Sequence, residues 1–132
     1  MLPTRFYGTR YLAPVPAGPS SYTNVRVIAH EDATQVTITR AGSAPETVTL
    51  SASQSKQVFT DRFTEIVSSK PVLALHYPYI SDFPAMTQLI PTAAAASRYR
   101  LHGFYEGPTS APLGSYGVFI TALAATDMLV NG

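Results

Sequence analysis

Three consecutive segments between Tyr22 and Ala52 alternate apolar and polar side chains. Val25, Val27 and Ala29 fall on one face, with Asn24, Arg26 and His30 on the other. Val36 and Ile38 alternate with Gln35, Thr37 and Thr39, and Val48, Leu50 and Ala52 alternate with Thr47, Thr49 and Ser51. A side-chain period of two is the mark of an antiparallel strand buried on one face. The segments Tyr22–Ala29, Thr34–Arg40 and Glu46–Ala52 are therefore read as strands. The turn His30-Glu31-Asp32-Ala33 joins the first two, and Asp32 is placed to close it with an Asx-type side-chain bond.

The same reading extends along the chain. Thr9–Val15 is a first strand, followed by a Pro- and Gly-rich loop from Pro14 to Pro19. Ser55–Thr60 and Phe63–Ser68 are two further short strands. Val72-Leu73-Ala74-Leu75 is a continuous apolar run, which predicts a central strand buried on both faces and ended by Pro78. Met86–Pro91 is another apolar segment. Ala93–Ala96 favours helix but lies too close to Pro91 to exceed one turn. Arg98–Phe104, Tyr116–Leu123 and Met128–Val130 complete the strands, and 107–114 is a loop. Eleven Pro and eight Gly cut the chain into these short runs, so the expected fold is all-β. The expected architecture is an antiparallel β-sandwich, jelly-roll or Ig-like, with little or no helix. At 132 residues the chain is read as a single sandwich domain over 1–132. The closing Asn131-Gly132 is a hairpin-turn pair with no strand after it, which fits a piece of a larger domain as well.

Charge narrows the function classes. Charged residues are only 13% of the chain and the formal net charge is +1. Seven of the nine basic residues are Arg, with no basic run among them, so a nucleic-acid footprint is not expected. Cysteine is absent, which excludes disulfides and thiolate zinc sites. No apolar stretch approaches the roughly 20 residues of a membrane helix, and no signal peptide is visible at the N-terminus.

Several short motifs occur in a particular order. Gly8-Thr9-Arg10-Tyr11 opens the first strand, and Val27 to Ile38 carries a strand, an acidic Asp-Xaa-Thr turn and a Thr/Val strand. Val48-Thr49-Leu50 is followed by Gln54 and Gln57-Val58. Ser68-Ser69-Lys70-Pro71-Val72 leads into the central strand, and Asp82 precedes Gln88-Leu89-Ile90-Pro91. In this order the motifs resemble the N-terminal domain of the IgGFc-binding protein family. Tyr116 to Gly132 resembles the opening of the family's next strand pair, with Ala125-Thr126-Asp127 in place of Asp-x-Thr. The chain is shorter than a full family domain and lacks cysteine. The resemblance implies a secreted or surface-exposed β-rich module that binds other macromolecules, and it supplies no catalytic residues.

The residues themselves point the same way. His30, His76 and His102 match no metal-ligand spacing, so no metal and no cofactor is expected. His76 reads as a strand-end histidine bonded to backbone. There is no Gly-x-Ser-x-Gly elbow, and no carboxylate pair is placed across a cleft, so no enzyme is expected and no catalytic residue is assigned. The aromatic residues are the candidates for binding. Tyr77, Tyr79 and Phe83 cluster around Pro78 and Pro84, and Tyr99, Phe104 and Tyr105 form a second group. Tyrosine offers a large contact area with a polar tip, which suits a binding surface as well as the end of a sandwich. The stretch His76–Met86 is expected to form an exposed loop. The leading expectation is a non-enzymatic protein-interaction or adhesion module, extracellular or on a particle or cell surface. Its partner would be another protein or glycoprotein, or copies of itself, with no nucleic acid and no membrane insertion. The alternative is a structural subunit of an ordered assembly, such as a virion decoration protein, a capsid-associated protein or a surface filament.

Overall fold

The computed structural model describes residues 6–15, 22–80, 83–84 and 87–95. The strands are β1 (Gly8–Ala13), β2 (Tyr22–Ala29), β3 (Thr34–Arg40), β4 (Glu46–Leu50), β5 (Ser55–Thr60), β6 (Thr64–Ile80), β7 (Phe83–Pro84) and β8 (Thr87–Gln88). A 3-10 turn forms at Thr92–Ala94, where the sequence allowed one turn. The expected strands of the first 60 residues are all present, with ends displaced by one or two residues.

The central element differs from expectation. Phe63–Ser68 and Val72–Leu75 are two parts of one 17-residue strand, β6, which also runs past Pro78 to Ile80. Its first part pairs with β3 along Thr64–Ser68, and its second with β2 along Val72–Tyr79. β1 pairs opposite Thr64–Val67 and again at Val72. Neither β1, β2 nor β3 pairs with the stretch between, so Pro71 falls where no ladder donor is needed. That is why a proline between two apolar runs does not separate them here. Val72, Leu73 and Ala74 are all buried, as the continuous apolar run predicts, while Leu75 at its end is half-buried.

All eight strands belong to one hydrogen-bonded sheet, with the path β4-β3-β6-β2-β5 and with β1, β7 and β8 also on β6. The sheet is antiparallel and curls into a half-barrel. Two stacked sheets, the expected jelly-roll or Ig-like sandwich, are not what the described residues form. The reason is physical: alternation reports that one face of a strand is buried, and a sheet's own curvature can cover that face as well as a second sheet can.

The concave face carries the core. Ile66 sits between Tyr11 and Ile38, and Ala74 lies beside Val27, all fully buried. Tyr11 donates its buried hydroxyl to the Val72 carbonyl at 2.5 Å, stitching β1 to the middle of β6. Burial of that phenol pushes its pKa up to about 12. No helix among the described residues is long and apolar enough to cross a membrane.

Candidate interaction surface

The half of the sheet built from β5, β2 and the second part of β6 presents an ordered convex face. Register places Phe59, Asn24 and Tyr77 in one row and Gln57, Arg26, Leu75 and Gln88 in the next. Phe59 is 62% exposed, while Tyr77 is half-buried. Arg26 donates from Nη2 to Gln57 Oε1 at 3.2 Å, which ties it to its cross-strand neighbour. Leu73 lies one row further, on the face opposite the core, and is only 5% exposed.

The aromatic residues singled out in the sequence fall on this half or outside the described residues. Tyr77 and Tyr79 are β6 residues, paired with Asn24 and Tyr22, and Phe83 pairs with Ile80 as the chain returns in β7. His76 to Ile80 is thus sheet rather than the exposed loop expected of His76–Met86. Backbone pairing to β2 on one side and to β7 and β8 on the other accounts for the difference. Tyr99, Phe104 and Tyr105 lie outside the described residues, as do Arg98–Phe104, Tyr116–Leu123 and Met128–Val130. The structure adds Phe59. Its signal was present in the sequence: Ser55–Thr60 alternates around Val58 and Thr60, which leaves a large apolar ring on the polar phase of the strand.

At one rim, the pieces of the ordered motifs meet. Thr34 Oγ1 donates to the Glu31 carbonyl at 2.7 Å and so closes the turn between β2 and β3. Asp32 does not close that turn, contrary to the Asx-type bond expected. Its Oδ1 instead accepts from the Ala52 amide at 2.9 Å, tying the turn to the loop between β4 and β5. Lys70 donates to the Asp32 carbonyl at 2.6 Å, and Ser69 Oγ accepts from the Gln35 amide at 3.0 Å. Gln54 Oε1 accepts from the Ser51 amide at 2.8 Å. The Asp-Xaa-Thr and Ser-x-Lys-Pro-Val segments are therefore two sides of one hydrogen-bonded junction. Asp32→Ala should cost about 0.5–1.5 kcal/mol in chemical denaturation, the worth of one partly solvated bond. Ala33 in this junction holds a left-handed φ of 52°. Ala33→Gly should stabilise the protein by about 0.5–1 kcal/mol in the same measurement, because glycine adopts that φ without the Cβ clash.

Titratable groups on the concave side are few. His76 is 3% exposed and hydrogen-bonds the Pro14 backbone, mid-strand rather than at a strand end. Burial holds its pKa below the ordinary histidine value, against the smaller upward effect of that bond. His76 Nε2 and Thr23 Oγ1 have no hydrogen-bond partner among the described residues. Both His76 and Tyr11 are held neutral by the fold. Stability should therefore be flat between about pH 6.5 and 10, where the unfolded side chains are neutral too. It should fall as pH drops below that window, since the unfolded histidine takes up a proton first. It should fall again as pH rises above it, since the unfolded tyrosine loses its proton first. Denaturation midpoints across pH check this, with His76→Gln flattening the onset of the acid limb and leaving the alkaline limb unchanged. On the inner wall, Glu46 and Lys56 pair at 2.5 Å, with Arg40 at 3.3 Å from the same carboxylate. The Lys56 bond, reinforced by the Arg40 charge, holds the Glu46 carboxyl below its usual range. No cluster of three or more His, Asp or Glu side chains able to hold a metal occurs among the described residues.

A solved structure described as the crystal structure of Thermotoga maritima 1070 is similar over 61% of this chain and 90% of its own. The two share 14% sequence identity with a TM-score of 0.41. No curated protein sequence matches the chain. The family model described as IgGFc binding protein matches residues 1–132, the whole length, and the chain belongs to that family.

Proposed function

We propose that this protein is a non-enzymatic, surface-exposed protein-binding module, working outside the cell or on a particle or cell surface. The family match over the whole chain carries the reading. The convex face supports it, because Tyr77, Arg26 and Leu75 combine aromatic, guanidinium and aliphatic contact area in adjacent rows. The partner is another protein or glycoprotein. The immunoglobulin Fc named in the family's description is the first ligand to test, alongside mucin-type glycoproteins. Surface plasmon resonance on the immobilised chain tests the reading. Saturable binding to one of these ligands, weakened by Tyr77→Ser, supports it. Turnover of ester, glycoside or peptide substrates without any such binding overturns it.

A second reading, a subunit of an ordered assembly, is favoured by one observation. β4 and β5 end the sheet path, and no strand among the described residues pairs with their outer edges.

A further inference from the structure

We propose that the Lys56–Glu46 ion pair is a latch that sets how far the sheet is curled, by fastening β5 to the far end of β4. In a flat sheet following the path β4-β3-β6-β2-β5, these two strands would stand four spacings apart, roughly 19 Å. The loop 51–54 draws them together at one rim, where β4 ends at Leu50 and β5 begins at Ser55. Glu46 starts β4, at the opposite end from that loop, and Lys56 Nζ lies 2.5 Å from its Oε1. β4 is thus held against β5 at both ends, once by the chain and once by charge. Arg10–Glu65 and Arg40–Glu46 each join neighbours in the sheet, β1 with β6 and β3 with β4. Among the described residues, Lys56–Glu46 alone joins two strands that share no backbone pairing.

The surroundings suit a fastening that can be released. The Lys56 and Glu46 side chains are 31% and 36% exposed, so neither ion is trapped in the core. Arg40 holds the other oxygen of the same carboxylate at 3.3 Å, from the diagonal position on β3. Losing the Lys56 bond therefore leaves Glu46 paired and the β3–β4 ladder intact. What it frees is the swing of β4 about its loop. Val48, in the middle of β4, is only half-buried against the core and leaves room for that swing. A partly exposed ion pair adds little to global stability, so the latch is read in shape rather than in unfolding. β5 presents Phe59 on its outer face, and the curl sets how sharply that ring turns away from the rest of the convex face.

The chain has no cysteine, so paired spin labels go only where cysteines are introduced. Thr47→Cys on β4 and Gln57→Cys on β5 are exposed positions next to the latch residues. Pulsed electron paramagnetic resonance between labels at the two positions reads the curl directly. The expected result with Lys56 present is one narrow distance. Lys56→Met, which keeps most of the apolar stem, should move that distance outward by one strand spacing, about 5 Å, and broaden it. Arg40→Met, which breaks only a bond between neighbouring strands, should leave it in place. Circular dichroism checks that each labelled variant is folded, and Lys56→Gln is the second variant should Lys56→Met not fold. A distance that does not move in a folded Lys56 variant, or that Arg40→Met moves as far, overturns the latch. Loss of the fold in both Lys56 variants overturns it too, since a latch acts on shape alone.

Discussion

Ile66→Ala is expected to lower the free energy of unfolding by about 2–5 kcal/mol, the usual cost of truncating a large buried aliphatic side chain. Ile66 is fully buried, with Tyr11 of β1 on one side and Ile38 of β3 on the other. The cavity would open between three strands whose backbones are fixed by pairing, so little collapse can fill it. Domains of this size are stable by only about 5–15 kcal/mol, so the loss is a large part of the total. Urea denaturation followed by circular dichroism checks it. Ile66→Val, at about 0.5–1.5 kcal/mol, calibrates the transfer part of the loss. A change below 1 kcal/mol for Ile66→Ala would mean that the concave face is not the core.

Gly8→Ala should destabilise by about 1–3 kcal/mol through overpacking. A Cβ built on Gly8 would collide with Cβ of Pro91 and lie 2.8 Å from its Cγ. Pro91 is buried and precedes the 3-10 turn, so neither side can retreat freely. The prediction separates this contact from simple backbone freedom, since Gly8 holds no left-handed φ. Thermal denaturation of Gly8→Ala and of the double variant Gly8→Ala/Pro91→Ala checks it. The second change should recover part of the loss by removing the proline ring that the new methyl meets.

Strand positions in the first 60 residues were legible because each has one wet face, and the alternation survives to the last residue. The merging of two runs into β6 was not legible. Pro71 signals a break in any local reading, and only the pairing of three distant strands shows that its missing donor is not required. Curvature was illegible for the same reason: alternation records which face is dry and not what dries it. Asp32 was read locally as closing its own turn, yet its partner, Ala52, is 20 residues away. Phe59 could have been found, since its phase contradicts its chemistry. Tyr77 was found by type, but its place on a strand follows from pairing with Asn24 of β2, and no local pattern announces that pairing.

The long strand β6 also dictates when this protein can fold. β1, β2 and β3 each take their main partner from residues 64–80, some 24 to 64 positions further along the chain. Until that segment leaves the ribosome, only the pairs β3–β4 and β2–β5 can form, and isolated pairs of this kind are marginal in water. Pairings so remote in sequence belong to the slow class, milliseconds to seconds. The nascent chain therefore passes through a stage in which open strand edges and apolar faces are both displayed, and the timing of β6 decides how long that stage lasts.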